Sequence, residues 1–247
     1  MAKLVAIDHN VHKNLRINPA KAELHGAELN LIPAVVAEFT NLAVQYPIVL
    51  TKNGDTGEFV CTAMFGFEAD ENLFWQNGQW RGVYLPLQIQ RQPFFIGDSV
   101  DDTSKNSGDF VVCIDVESPT IAKVTAASQS EYQTLFTEAG EDSQYFQHAK
   151  QCLGQLLQGE IDNNKLITAL KELDLLQPLS LEITFVNEQS TRLNGLYSIN
   201  QEKLAALSNE QIVMLHQKNL LQPIYTMITS LGQIYALIER KNASLVG

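Results

Sequence analysis

The sequence predicts an α+β fold, in which antiparallel β-sheets carry helices packed on one side and the C-terminus is helical. Short strand-like runs joined by polar turns fill residues 48–115, and a second pair of such runs fills residues 179–199. Elsewhere the apolar residues recur at helical spacing. With 247 residues, of which 45% are hydrophobic, the chain can bury a complete core. We therefore expect a single domain over residues 1–247, with a helical segment of about 128–176 inserted between strands.

The N-terminal part mixes short strands with one predicted helix. Residues 4–7 and 15–17 are strand-like, and they flank a polar loop at residues 8–14. Pro33 suits the first turn of a helix. Apolar residues at helical spacing then extend this helix over residues 34–43.

The central stretch, residues 72–97, holds both tryptophans, two arginines and two consecutive phenylalanines. Strands at 48–50 and 59–65 are predicted to precede it. Its Asn77-Gly78 pair indicates a type I′ hairpin turn, because both central positions of that turn need a positive φ. The predicted return strand covers residues 80–85 and ends before a proline, which cannot donate to a strand ladder.

Indole, phenol and guanidinium groups in this stretch suit a planar or anionic ligand, through stacking and bidentate hydrogen bonds. In the alternative interpretation, the aromatic rings are core or core-edge residues and Arg91 holds a loop through backbone carbonyl groups. A predicted buried strand at 110–114 ends at an aspartate, which either serves a site, caps the strand or pairs with an arginine such as Arg91. The candidate ligand-binding residues are Trp75, Trp80, Arg81, Tyr84, Arg91, Phe94, Asp115 and His12.

A different hypothesis makes the protein an enzyme with an unfamiliar site. His12, Asp115 and Arg91 would then meet in the fold and act on a common substrate within hydrogen-bond distance. The sequence contains no GxSxG, GxGxxG, Walker or HExxH motif, which lowers the expectation of a common hydrolase, kinase or dehydrogenase. Our leading interpretation is therefore a binding protein and not an enzyme.

The second half of the chain begins with predicted helices. Three consecutive helices cover residues 130–138, 143–159 and 162–173, with Gly140 and Gly159 as stop signals. Polar residues 98–109, before this half, are predicted to form a loop.

A predicted hairpin and a helical tail complete the chain. Residues 179–186 alternate apolar and polar side chains and pair with 191–199. Asn200 and Ser208 are predicted helix N-caps, and the last helix is predicted over residues 221–240.

Composition excludes several classes of partner. The net charge is -11, from 17 basic and 28 acidic residues, so no basic surface is expected for nucleic acid or an anionic membrane. The three cysteines and five histidines show no metal-site spacing, and we expect neither a metal nor a cofactor. No stretch resembles a signal peptide or a membrane span, which predicts a cytoplasmic protein. The oligomeric state stays open.

From end to end, the sequence resembles the bacterial SapC-like family. The matching motifs are His12 with Leu15-Arg16, Pro33 with Glu38-Phe39, Tyr46-Pro47-Ile48-Val49, Glu71-Asn72-Leu73-Phe74, Trp80 with Tyr84-Leu85-Pro86, Arg91 with Pro93-Phe94, Cys113-Ile114-Asp115, Leu135-Phe136 with Gly140, Gly195-Leu196-Tyr197, Leu204, Leu207, Tyr225 and Ser230-Leu231.

This resemblance implies a context more than a reaction. It implies genes that neighbour flavin-dependent tryptophan halogenases and cupin-like oxygenases, and so an accessory protein that binds a small molecule, a peptide or such an enzyme. The family is also linked to surface layers, so a further hypothesis makes the protein a surface-layer component. The label of peptide-transport permease sometimes attached to the family conflicts with a sequence that predicts no spanning helix. No catalytic residues follow from the resemblance.

Overall fold

A computed structural model describes residues 3–98, 110–122 and 131–246, and it confirms the α+β class. The contacts between residues divide the chain into two compact units. The first unit comprises Met1–Gly26 and Leu87–Leu157, and the second comprises Ala27–Pro86 and Gln158–Gly247. The prediction of a single domain with an inserted helical segment stays a prediction.

The described residues form short strands and mostly short helices. The strands are β1 (Leu4–Ala6), β2 (Arg16–Ile17), β3 (Leu31–Pro33), β4 (Ile48–Lys52), β5 (Phe59–Met64), β6 (Trp75–Gln76), β7 (Gln79–Trp80), β8 (Phe94–Asp98), β9 (Phe110–Asp115), β10 (Gln133–Thr134), β11 (Leu176–Thr184) and β12 (Ser190–Ile199). The α-helices are α1 (His9–His12), α2 (Phe39–Leu42), α3 (Leu87–Gln90), α4 (Gln144–Glu172), α5 (Gln201–Ala205), α6 (Asn209–Gln217), α7 (Leu221–Ser230) and α8 (Gln233–Val246). Two 3-10 segments, Pro19–Gly26 and Val36–Glu38, complete the description.

The first unit is built on a three-stranded antiparallel sheet in the order β1-β9-β8, and β2 pairs with β10 beside it. Its apolar core lies between this sheet and the first half of α4. The fully or nearly fully buried members of that core are Ile17, Phe94, Ile114, Leu135, Phe146, Ala149 and Leu153.

The second unit contains a five-stranded antiparallel sheet in the order β11-β12-β4-β5-β3, together with the β6–β7 hairpin. Helix α7 packs against strands β4 and β12 of this sheet. The hydroxyl of Ser230 at the end of α7 accepts the N–H of Ile48 at 2.9 Å, which fixes the helix to the first residue of β4.

The predicted turn of the central stretch is confirmed, but its long return strand is wrong. Asn77 and Gly78 have φ values of 53° and 75°, as a type I′ turn requires. Strand β7 ends at Trp80 because the backbone groups that follow form hydrogen bonds with side chains outside the hairpin. The side chain of Gln45 accepts the N–H of Val83 at 2.6 Å, and the hydroxyl of Tyr46 donates to the carbonyl of Tyr84 at 2.6 Å.

The helix predicted over residues 34–43 is also wrong. Ala34 continues the β3–β5 pairing by donating its N–H to the carbonyl of Cys61 at 2.9 Å. The helical residues that follow are only the 3-10 segment Val36–Glu38 and the single turn of α2. A side chain from α4 holds the start of this region, since Asn163 accepts the N–H of Val36 at 2.9 Å and donates to the carbonyl of Ala34 at 2.8 Å.

One long helix, α4, replaces the second and third predicted helices of residues 130–173. Gly159 lies inside this helix and does not end it. The glycine allows close packing, since a Cβ on Gly159 would lie 2.5 Å from the Cβ of Val35. The first predicted helix is wrong, since residues 133 and 134 form β10, and residue 130 lies outside the described residues.

The remaining differences are smaller. Residues 9–12 of the predicted polar loop form α1, whose N-cap Asp8 accepts the N–H groups of Asn10 and Val11. The predicted last helix is divided into α7 and α8 at Leu231 and Gly232. Residues 99–109 of the predicted polar loop lie outside the described residues.

Candidate functional site

The eight candidate residues fall into two groups of four. Trp75, Trp80, Arg81 and Tyr84 belong to the second unit, whereas His12, Arg91, Phe94 and Asp115 belong to the first.

The tryptophans face each other across the hairpin, where Trp75 pairs with Trp80. Trp80 is partly buried, lies nearly parallel to Phe74 with ring centroids 6.4 Å apart, and places its ring edge-to-face with Phe65 at 5.2 Å. Its indole N–H donates to the hydroxyl of Tyr46 at 3.3 Å. These contacts are those of a packed core-edge residue, and they use the polar atom with which Trp80 could hold a ligand.

Tyr46 is the buried centre of this aromatic group. Burial raises the pKa of its hydroxyl to about 12, so the phenol stays protonated and can donate to the carbonyl of Tyr84. The hydroxyl of Tyr84 in turn donates to the buried carboxylate of Glu38 at 3.1 Å. Gly82 fits beside this chain without a side chain, since a Cβ there would lie 2.0 Å from the Tyr46 hydroxyl. Of the four candidates in this unit, Arg81 is exposed and the other three are partly buried.

In the first unit, a group of polar side chains collects where β9 ends. The carboxylate of Asp115, only 8% exposed, accepts the backbone N–H groups of Lys3 at 2.9 Å and Glu117 at 3.1 Å through Oδ1. The turn that follows brings in Ser118 and Thr120, whose hydroxyl oxygens lie 2.9 Å apart. Buried polar side chains are thus concentrated in the six residues 115–120.

His25 approaches this turn from the 3-10 segment Pro19–Gly26. Its Nε2 lies 3.1 Å from the Oγ of Ser118. Burial lowers the pKa of His25, the carboxylate of Asp115 acts in the opposite direction, and the guanidinium of Arg91 lowers it further. Both charges are therefore within electrostatic reach of one imidazole, and the net result favours the neutral ring at pH 7.

Arg91 follows α3, which packs against the same 3-10 segment. Its Nε donates to the side chain of Gln88 at 2.8 Å, and its Nη1 donates to the carbonyl of Phe94 at 2.8 Å. The guanidinium also lies over the ring of Phe95, 4.2 Å from its centroid. Arg91 thus holds its own loop, as the alternative interpretation predicts, and burial lowers its pKa.

The charge of Arg91 has no protein counter-ion in the described part of the chain. All ion pairs found within 4.0 Å among the described residues involve lysines. The next residue, Gln92, is 9% exposed and its Oε1 accepts no hydrogen bond from any described residue. The backbone runs directly beside the polar turn here, because the carbonyl of Pro93 accepts the N–H of Asp115 at 3.0 Å.

The other two candidates in this unit make contacts that stabilise the fold. Phe94 is a core residue, 1% exposed. His12 is buried, and its Nδ1 lies 3.0 Å from the backbone N–H of Asp8, the cap of its own short helix. The histidine that the structure brings to Asp115 and Arg91 is His25, which sequence reasoning missed. No local motif marks it, and only the packing of its segment against α3 reveals its position.

Two features are absent from the described residues. Among the described residues, no three side chains of His, Cys, Asp or Glu are grouped as metal ligands. Within the same residues, no helix combines the length and the apolar character needed to cross a membrane.

Comparison with known proteins gives one finding. Searches of the curated proteins and of the solved structures return no match. A protein-family model described as SapC, however, matches residues 7–237. Because this match covers nearly the whole sequence, the chain belongs to the SapC family.

Proposed function

We propose that the protein binds a small molecule that carries a carboxylate group, and that Arg91 binds this group. The observation that supports the proposal is a partly buried guanidinium that has no carboxylate within 4.0 Å in the described part of the chain. Buried charges in proteins are normally paired, since an unpaired ion loses its hydration without compensation. A carboxylate from a ligand would supply the missing partner.

The guanidinium has donors left for such a ligand. Of its five N–H groups, one is used by Gln88 and one by the carbonyl of Phe94. The remaining donors can form the parallel pair of hydrogen bonds by which arginine recognises a carboxylate. The stacking on Phe95 and the two hydrogen bonds hold the group in one orientation, so little conformational entropy is lost on binding.

In this proposal the protein is an accessory that binds a ligand, and not the catalyst. The partner in this proposal is a halogenase or an oxygenase, the enzymes whose genes the family resemblance implies as neighbours, and the ligand would be shared with it. Ligand binding and partner binding are separate parts of the proposal, and the first can be measured with the purified protein alone.

An enzymatic function is a second candidate because His25 lies within hydrogen-bond distance of a hydroxyl, the arrangement by which a base activates a nucleophile. Against it, Ser118 is only 5% exposed, and its Oγ already accepts the N–H of Thr120 at 3.3 Å. A nucleophile must reach its substrate, so the contacts support binding more strongly than catalysis.

The test is a thermal-shift screen followed by calorimetry, with pyruvate, 2-oxoglutarate and the common L-amino acids as probes. We expect at least one carboxylate to bind, and Arg91→Gln to weaken that binding about tenfold or more, the loss typical of a charged hydrogen-bonded contact. Arg81→Gln serves as the matched control, because Arg81 is an exposed arginine of the other unit. Binding that survives Arg91→Gln, or the absence of any binding carboxylate, would contradict the proposal.

A further inference from the structure

We infer that the ligand is a zwitterion, whose ammonium group binds Asp115 while its carboxylate binds Arg91. The inference rests on the proposed function and adds the second contact of the same site. It identifies the ligand class as small amino carboxylic acids, such as an α-amino acid.

The first observation is the state of the Asp115 carboxylate. Its Oδ1 accepts two backbone N–H groups, from Lys3 and Glu117, whereas Oδ2 accepts no hydrogen bond from the described residues. None of the described lysine, arginine or histidine side chains lies within 4.0 Å of this carboxylate. A carboxylate that is 8% exposed therefore has one oxygen fixed by the backbone and one oxygen without a protein donor.

The second observation is that Asp115 and Arg91 do not neutralise each other. They form no ion pair within 4.0 Å, although both lie close enough to His25 to act on its imidazole. Each is held in place by its own hydrogen bonds, to the backbone for Asp115 and to Gln88 and Phe94 for Arg91. The fold thus holds the Arg91 guanidinium and the Asp115 carboxylate close to the same imidazole without pairing them.

A neutral His25 does not balance the charge of Asp115, and a histidine in either protonation state cannot balance the charge of Arg91. Its neutral ring can donate one hydrogen bond and accept another, and Ser118 is already the partner of Nε2. The guanidinium of Arg91 and the carboxylate of Asp115 can therefore both be paired by one ligand that carries a carboxylate and an ammonium group.

A zwitterion satisfies this arrangement better than a simple anion. A simple carboxylate would pair with Arg91 and at the same time place a second negative charge near Asp115, and like charges at short range repel. An ammonium group on the same molecule removes this repulsion and supplies N–H donors to Oδ2 of Asp115. The unpartnered Oε1 of Gln92, next to Arg91 in the chain, offers one more acceptor for such a donor.

The experiment compares three related probes: L-phenylalanine, 3-phenylpropionate without the ammonium group, and 2-phenylethylamine without the carboxylate. A second set, L-alanine, propionate and ethylamine, covers a small side chain. Calorimetry on the full chain should show the amino acid of at least one set binding about tenfold or more tightly than both analogues. This comparison changes the ligand and not the protein, so it does not depend on the folding of a variant.

Variants then assign the two contacts. Asp115→Asn keeps an oxygen for the N–H groups of Lys3 and Glu117, and it should reduce amino-acid binding to the level of the analogue without the ammonium group. Arg91→Gln should weaken both carboxylate probes. Asp8→Asn is the matched control, since Asp8 caps α1 in the same unit and asparagine caps helices equally well.

The outcomes separate the two proposals. If 3-phenylpropionate or propionate binds as tightly as its amino acid, or Asp115→Asn leaves amino-acid binding unchanged, the zwitterion inference is wrong and the carboxylate function stands. The same holds if pyruvate or 2-oxoglutarate binds while none of the amino acids does. If no carboxylate binds, or Arg91→Gln changes nothing, both are wrong.

Discussion

At the scale of the residue, His25 links the candidate site to the pH dependence of stability. Burial lowers the pKa of His25 below its ordinary value of 6.5, with Arg91 acting in the same direction and Asp115 against it. Below pH 6.5 the unfolded chain therefore binds this proton more readily than the folded protein does. The stability that neutral His25 contributes is present above pH 6.5 and is lost as the pH falls through 6.5 towards the pKa of the folded state.

This sign gives the first prediction: His25→Gln should reduce the drop in Tm between pH 7.5 and pH 5.5. Glutamine can still bond the Ser118 hydroxyl, but it does not take up a proton. Tm is measured across this range for the wild type, for His25→Gln and for His216→Gln, whose imidazole is exposed in α6. If both variants lose stability on acidification as steeply as the wild type, the lowered pKa assigned to the partly buried His25 is wrong.

Single residues also show what could be read from the sequence. Arg91 and Asp115 could be found from the sequence, because Arg91 lies in the short polar segment 88–92 and Asp115 ends an apolar strand. His25 could not, since its importance comes from contacts with Ser118, which lies 93 residues later. For Trp80, the chemistry of the indole is compatible with both ligand stacking and core packing, and only its contacts with Tyr46 and Phe74 distinguish them.

At the scale of the element, predictions succeeded where the turn chemistry is local. The two hairpins, β6–β7 and β11–β12, follow from Asn-Gly geometry and from strict alternation of apolar and polar residues. The prediction of two helices in residues 143–173 was wrong, because a glycine can either end a helix or lie within one where space is tight. Gly159 is read as a stop from sequence, but its small size is needed against Val35, a contact between distant segments.

The same helix provides the second prediction, at Asn163. Its side chain satisfies the N–H of Val36 and the carbonyl of Ala34, and Asn163→Ala would leave both backbone groups without these partners. We expect a loss of about 1–3 kcal/mol in the free energy of unfolding, measured by urea denaturation. Asn164→Ala is the control, because this neighbour is exposed and alanine is the better helix former. Equal stability of the two variants would show that α4 does not anchor residues 34–36.

At the scale of the whole molecule, the division into two units could not be predicted because both are discontinuous in sequence. Each is assembled from two separate segments, and one boundary, between Leu157 and Gln158, lies within α4. The pairing of β1 with β9 joins residues more than a hundred positions apart, as in Leu4 with Asp115. No local pattern specifies such a pairing, so the sequence gives the fold class but not the strand order.

Polar contacts between distant parts of the chain also stabilise the second unit, and Lys241 in α8 makes one of them. Its ammonium pairs with Glu71, 170 residues earlier, and lies 3.4 Å from the carboxylate of Glu68. Burial lowers the pKa of Lys241, but the hydrogen bond and charge of Glu71, with help from Glu68, outweigh it, so the net shift is upward. The stability that this raised pKa contributes is therefore present below pH 10.5 and is lost as the pH rises above 10.5 through the folded pKa.

The third prediction concerns the ion pair between Lys241 and Glu71. Lys241→Met keeps the apolar stem of the side chain but leaves the mostly buried Glu71 without its cation, which should cost about 2–4 kcal/mol in urea denaturation at pH 7. Lys165→Met, which breaks an exposed pair with Asp162, should cost less than about 1 kcal/mol. Adding Glu71→Gln to Lys241→Met should restore part of the loss, because no unpaired charge then remains. If Lys241→Met is as harmless as Lys165→Met, α8 is not fixed to the loop before the hairpin by this ion pair.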